Sequence, residues 1–227
     1  MPRFNSHPRG QGLLEATLSI GIILIGLGGI LALTLRNVTA TTASAQRIVA
    51  LQLAREGLEL VRAVRDSNWL VASSGGSQSW DVGLVPLVGC PCGAALQLTP
   101  PPDNQTPISW QLQYKSLATR ISFSLPELQL FRGGSVQGYL WRQDTGWLVS
   151  PPAGYSSTGF YRAMLLDPVC QLGSNPPYVA TDQSACPAGQ QKLGYRVESV
   201  VGWPTPGLFG GAYRSTLSLV EYIYNWR

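Results

Sequence analysis

Few residues in this chain have the types and spacing that chemistry needs. The only histidine is His7, close to the N-terminus. Beyond it a Ser-His-Asp triad, a Cys-His pair and His-based metal sites are excluded. No phosphate-cradling glycine loop and no Asp-x-Asp calcium loop is present. Glu198 and Glu221 sit in strand-like stretches and read as outward-facing or arginine-paired carboxylates, while Asp144 and Asp167 have turn-like surroundings. These residues give no catalytic constellation and call for no cofactor, so the chain reads as a protein that is not an enzyme. Four cysteines remain: Cys90, Cys92, Cys170 and Cys186. An even count in a chain whose bulk lies outside the cytoplasm suggests disulfides, and three pairings are open. Pairing Cys170 with Cys186 closes a loop of a size worth ~3 kcal/mol in the chain-entropy model. Cys90-Pro-Cys92 would close a small strained ring, so cross-pairing with Cys170 and Cys186 is the alternative. Four thiolates could also hold zinc, but C-P-C is shorter than the usual C-x2-4-C spacing, so no metal is assigned. The last chemically marked residue is Glu15. It is a lone carboxylate at the lip of an apolar run, where an acid costs up to ~2.5–3.5 kcal/mol at bilayer depth.

That run organises the chain. Ala16 to Leu35 is uncharged and ends at Arg36. At ~1.5 Å per residue these 20 residues form a helix ~30 Å long, the thickness of a hydrocarbon core. Residues 1–10 are basic and lack the apolar region of a secretory signal, so the apolar segment is kept. Basic residues ahead of the span place the N-terminus in the cytoplasm, although Arg36 on the far side opposes this weakly. Gly21, Gly26, Gly28 and Gly29 fall inside the span. They are read as close-packing points between helices and as places where a helix can melt, since glycine costs ~1 kcal/mol against alanine.

After a polar, β-branched stretch from Asn37 to about Thr42, the pattern turns amphipathic. Leu51, Ala54, Leu58 and Val61 recur at three to four residues and predict a buried stripe. Arg55–Glu59 and Arg62–Asp66 are expected as i,i+4 pairs on other faces. Ser73-Ser74-Gly75-Gly76-Ser77 reads as a flexible linker. Beyond it, alternation predicts half-buried antiparallel strands around Trp110–Tyr114, Ile121–Leu125, Leu128–Leu130, Tyr139–Trp141, Trp147–Val149, Phe160–Leu166, Leu193–Trp203 and Tyr213–Trp226. Gly plus Pro make up 42 of 227 residues and aromatics 21, which together read as a loop-rich β domain and not as a disordered chain. Most of the seven tryptophans are expected in the core; a surface subset could stack on sugars or bases, but nothing locates a nucleic-acid groove.

The series Arg9-Gly10-Gln11 … Glu15 followed by the apolar helix resembles the processing site of type IV prepilins. The resemblance covers Arg9 to about Trp69. It implies that a prepilin peptidase cuts after Gly10 and methylates the new N-terminus, Gln11, which stands where the family usually has Phe. It also makes Glu15 the fifth residue of the mature chain, the residue that sets assembly register. Cleavage after Gly12 would put Glu15 third and is disfavoured. Loss of residues 1–10 removes Arg3 and Arg9, lowering the net charge from +4 to +2, too little to argue for nucleic acid. Leu51–Leu70 and the C-terminal series T-G-F-Y-R (158–162), V-x-W (201–203) and L-x-L-V-E-Y-I-Y-N-W (217–226) are similar to minor, pilus-modification-like pilins. The resemblance implies a pilin-like α+β fold: a leader (1–10), a long helix (11–69) whose first half spans the membrane at about 16–35, and an extracytoplasmic antiparallel β-sheet domain (70–227). It further implies a single-pass membrane precursor that is extracted into an extracellular filament. Its partners would be other pilin subunits, the peptidase, the inner-membrane assembly machinery and, before assembly, lipid. A secretion-system pseudopilin and an unprocessed membrane-anchored binding module are the alternatives.

Overall fold

The computed structural model describes residues 11–85, 92–99, 109–116, 128–135, 138–143, 154–181, 183–206 and 212–225. Gly10, Cys90, Asp144 and the expected strands at Ile121–Leu125 and Trp147–Val149 lie outside these residues. The architecture is α+β: one long N-terminal helix and an antiparallel sheet on which its later half packs. Helix α1 runs unbroken over Gln11–Ser73. Two compact units divide it, one ending at Gln46 and the other comprising Arg47–Arg227.

In the second unit the strands are β1 (Cys92–Thr99), β2 (Ser109–Ser116), β3 (Gln129–Ser135), β4 (Gly138–Gln143), β5 (Tyr155–Gln171), β6 (Tyr178–Val179), β7 (Gln191–Pro206) and β8 (Ala212–Tyr224). The 17-residue β5 is the axis of the sheet. Along one edge it pairs with β7, and β7 carries β8. Its other edge pairs with β3, β1 and β6, and β2 and β4 attach beyond β1 and β3. Each of these pairings is antiparallel. β1 and the short β6 are the strands that alternation did not single out.

Period-two alternation divides the sheet into two faces. Phe160, Met164 and Leu166 of β5, with Tyr195, Val197, Val201 and Trp203 of β7, face α1 and pack with Ala50, Leu53, Ala54, Leu58 and Val61. Ala163, Leu165 and Val200 turn the other way and form a smaller cluster with Leu128. The expected helix stripe therefore forms, with Leu51 at its half-buried margin. Gly57 sits at its centre. A Cβ there would stand 2.8 Å from Met164 Sδ and 2.9 Å from Ser199 Oγ. An added Cβ would force these side chains to shift, so glycine here lets the Met164, Ser199 and Arg162 side chains of β5 and β7 pack against the helix backbone.

The helix ends by a hydrogen-bonded cap and not in a loose linker. Gly75 adopts φ 94°, its N–H donates to Ala72 O, and Gly76 N–H donates to Val71 O. This is the paired closure that a left-handed glycine allows. The chain then returns along α1, where buried Asn68 donates to the carbonyls of Trp80 and Val82 and accepts from Gln78.

Replacing Gly57 by valine should destabilise the folded chain by about 1–3 kcal/mol through overpacking, overriding any gain in helix propensity. Urea titration of the full chain in detergent checks this. A midpoint equal to that of wild type would mean that the helix does not sit this close to the sheet.

Candidate functional site

The feature that sets this molecule apart is the first half of α1. Leu13, Leu18, Ile22, Ile25, Leu31 and Leu35 are exposed, as are the other large apolar residues between them. The helix is long and apolar enough to cross a membrane. Its hydroxyl side chains bond back to its own backbone. Thr17 donates to Leu14 O, Ser19 to Glu15 O and Thr34 to Ile30 O. Such back-bonding leaves no hydroxyl stranded in an apolar medium. Just beyond, Thr39, Thr41 and Thr42 bond back to Arg36, Val38 and Thr39 carbonyls in the same way.

Glu15 is exposed on this helix. Gln11 is its first residue. Around Gly12, Gly21, Gly26, Gly28 and Gly29, no atom lies within 4 Å of where a Cβ would stand, the helix's own nearby backbone aside. Among the described residues, these glycines meet no packing partner.

The polar contacts of the second unit anchor α1 to the sheet. Arg162 of β5 is buried to 1% side-chain exposure beneath the helix, where it donates to Leu53 O and pairs with Glu56 Oε2 at 3.1 Å. Burial pulls its pKa down, against the opposing charge and hydrogen bond of Glu56. Arg62 pairs with Glu59 and with Glu221 of β8, not with the expected Asp66, which is held by Arg65. The geometric reason is that Glu221 points inward from β8 and meets Arg62 across the helix–sheet seam, while Asp66 lies on the outer side. Glu198 and Asp167 both bind Arg196. Glu198, Glu221 and Asp167 are therefore structural ion partners, and Asp167 lies within β5 and not in the expected turn.

A further cluster ties the returning segment to β7. Buried Asp81 accepts from Lys192 Nζ and from Ser79 Oγ, and Lys192 also donates to Tyr195 OH at 3.1 Å. The Lys192 ammonium lies 5.7 Å from the Trp80 ring centroid, and the Trp80 and Tyr195 rings are 5.7 Å apart. Burial pushes Asp81 up, but the hydrogen bonds from Lys192 and Ser79 and the lysine charge outweigh it, leaving its pKa below the ordinary carboxylate value. Lys192 is pulled down by burial and raised more by Asp81 and Tyr195, ending above its ordinary value. Trp80 is thus a packing residue here, as is buried Trp203.

Cys170 and Cys186 are disulfide-bonded, Cα–Cα 5.6 Å apart, which removes their cross-pairing with Cys90 or Cys92. Among the described residues no group of His, Cys, Asp or Glu could hold a metal ion. Sequence reasoning did not find Gly57, Arg162 or the Asp81–Lys192 pair. Arg162 did leave a signal, a charge at an inward position of an alternating strand. The chain matches no protein-family model, no curated protein and no solved structure.

Asp81 has a depressed pKa, so its contribution is complete above the ordinary carboxylate range and is lost as pH falls through its folded pKa. Lys192 contributes below its ordinary pKa and loses that contribution as pH rises through the raised one. Asp81→Asn should therefore cost about 2 kcal/mol at pH 7 and progressively less below pH ~4. Parallel denaturant titrations of both chains across this range check it; a gap that does not change with acid would remove the ion pair as its source.

Proposed function

We propose that this chain is a structural subunit, a minor pilin, of a type IV pilus-like filament. The observation that carries the reading is the division of α1. One continuous helix has a second half seated on a sheet and a first half that is apolar and exposed among the described residues. A membrane covers that half before assembly, and the helices of neighbouring subunits cover it afterwards. Processing after Gly10 frees an amine on Gln11. In an apolar setting that amine and Glu15 of a neighbouring subunit neutralise each other, where either alone is costly. The pair then sets axial register while the apolar helices and the glycines Gly21, Gly26, Gly28 and Gly29 supply the packing.

The Cys170–Cys186 disulfide supports placing the second unit in an oxidising compartment, with the N-terminus in the cytoplasm and the sheet domain outside. A pseudopilin of a secretion system would use the same helix in a different machine. Proteins recovered with the cross-linked chain from its own membranes distinguish the two.

The N-terminal peptide mass, measured on chain from membranes with and without prepilin peptidase, tests processing. A chain beginning at Gln11 with one added methyl is expected. An intact Met1 leader in the presence of active peptidase would replace this reading with that of a permanent membrane anchor. Glu15→Ala should still insert in the membrane but fail to enter filaments; normal incorporation would sink the register role of Glu15.

A further inference from the structure

Residues 37–45 of α1 are exposed on every side. They follow the apolar run and precede Val49 and Ala50, where the helix begins to pack with the sheet core. The first compact unit ends just after them, at Gln46. The sequence here is N-V-T-A-T-T-A-S-A-Q. Asn37 and the β-branched Val38, Thr39, Thr41 and Thr42 are weak helix formers. The threonine hydroxyls bond back to the carbonyls of Arg36, Val38 and Thr39, a contact that slightly destabilises a helix. With no buried face, the stretch is held by its backbone bonds alone and opens more readily than the sheet-bound residues after it. Its end holds Ala43-Ser44-Ala45, the one Ala-x-Ala in the chain. Small residues one position apart, after a basic start and an apolar run, are what a signal-type leader peptidase reads.

We infer that Ala43-Ser44-Ala45 is a second processing site, where a signal-type peptidase hydrolyses the Ala45–Gln46 bond and frees the sheet domain from its membrane helix. Water adds across the bond, leaving a carboxylate on Ala45 and an amine on Gln46. The inference takes from the reading above only the orientation, with the sheet domain outside the membrane. In an extended substrate side chains alternate, so Ala43 and Ala45 enter two pockets on one side of the cleft and Ser44 points away. The bond stands ten residues past Leu35, or ~15 Å of helix beyond the hydrocarbon edge. That clears a headgroup layer of ~5–8 Å and leaves the bond just above the outer face of the membrane. The cut removes nothing from the core. Ala50, Leu53, Ala54, Leu58 and Val61 all stay on the released side, as do Leu53 O and Glu56, which hold Arg162. The apolar run of 20 residues is longer than that of a removed signal, about 7–15 residues. The uncut chain therefore holds in the bilayer, and the cut is a slower second event that gives two populations, one anchored and one soluble.

The test uses the full chain in cells with active signal and prepilin peptidases, separated into membranes and soluble extracytoplasmic fluid. A soluble fragment whose N-terminal peptide begins at Gln46 is expected. Ala43→Phe and Ala45→Phe should each lower its amount several-fold while the membrane-bound chain rises, and Ser44→Phe should leave it unchanged. All three residues are exposed, so these variants leave the core intact. Absence of a soluble fragment, a fragment beginning elsewhere, or equal loss with Ser44→Phe would each overturn the inference. The membrane-bound chain of the same cells reports the filament reading separately. Its N-terminal peptide begins at Gln11 where the leader is processed and at Met1 where it is not, whichever way the release comes out.

Discussion

The structure depends on how closely α1 lies on β5 and β7 at Gly57. Met164 and Ser199 occupy the space that a side chain would take. The sheet's side chains press against the bare helix backbone there, and the flanking residues interlock on either side: Leu53, Ala54 and Ala50 toward Phe160 and Trp203, Leu58 and Val61 toward Tyr195 and Ile223. Arg162 sits under this contact. A buried guanidinium is tolerated only when its charge is answered, and Glu56 and Leu53 O answer it from the helix itself. The pair adds orientation more than stability. If the helix slid or rotated, the charge would be left unmatched in the core.

The rest of the second unit keeps that contact in place from three directions. The glycine cap at Gly75 turns the chain back along the helix, and Asn68 holds the returning strap. Asp81 and Lys192 fasten the strap to β7. Glu221 of the far strand β8 reaches back to Arg62. The helix end is thus bound to the sheet by polar links at its margins and apolar contact at its centre. This is the order expected when an exposed ion pair contributes little and burial contributes most.

The parts of this design that were legible in the sequence are those that depend on periodicity. The 20-residue apolar run, the stripe at Ala54, Leu58 and Val61, and the alternation in β5, β7 and β8 each follow from a repeat that a single residue cannot hide. What was not legible depends on contacts between distant residues. Gly57 reads as an ordinary helix glycine until β5 and β7 are placed beneath it. Arg62 has Asp66 in local reach and takes Glu221, 159 positions away, because the sheet brings it closer. The Ser73–Ser77 stretch has linker composition, yet the same glycines suit a helix cap, and composition does not separate the two uses. β1 does not stand out because Cys92–Thr99 is rich in small residues, has no aromatic residue and has only Thr99 as a β-branched one.

One half of α1 is engaged with the sheet, and the other exposes its large apolar side chains among the described residues. Apolar area of this extent on one element calls for a second medium or a second molecule. The back-bonded hydroxyls of Thr17, Ser19 and Thr34 suit both, since they remove unsatisfied donors from the helix surface whatever covers it. Lipid does not fix axial position, whereas another helix does.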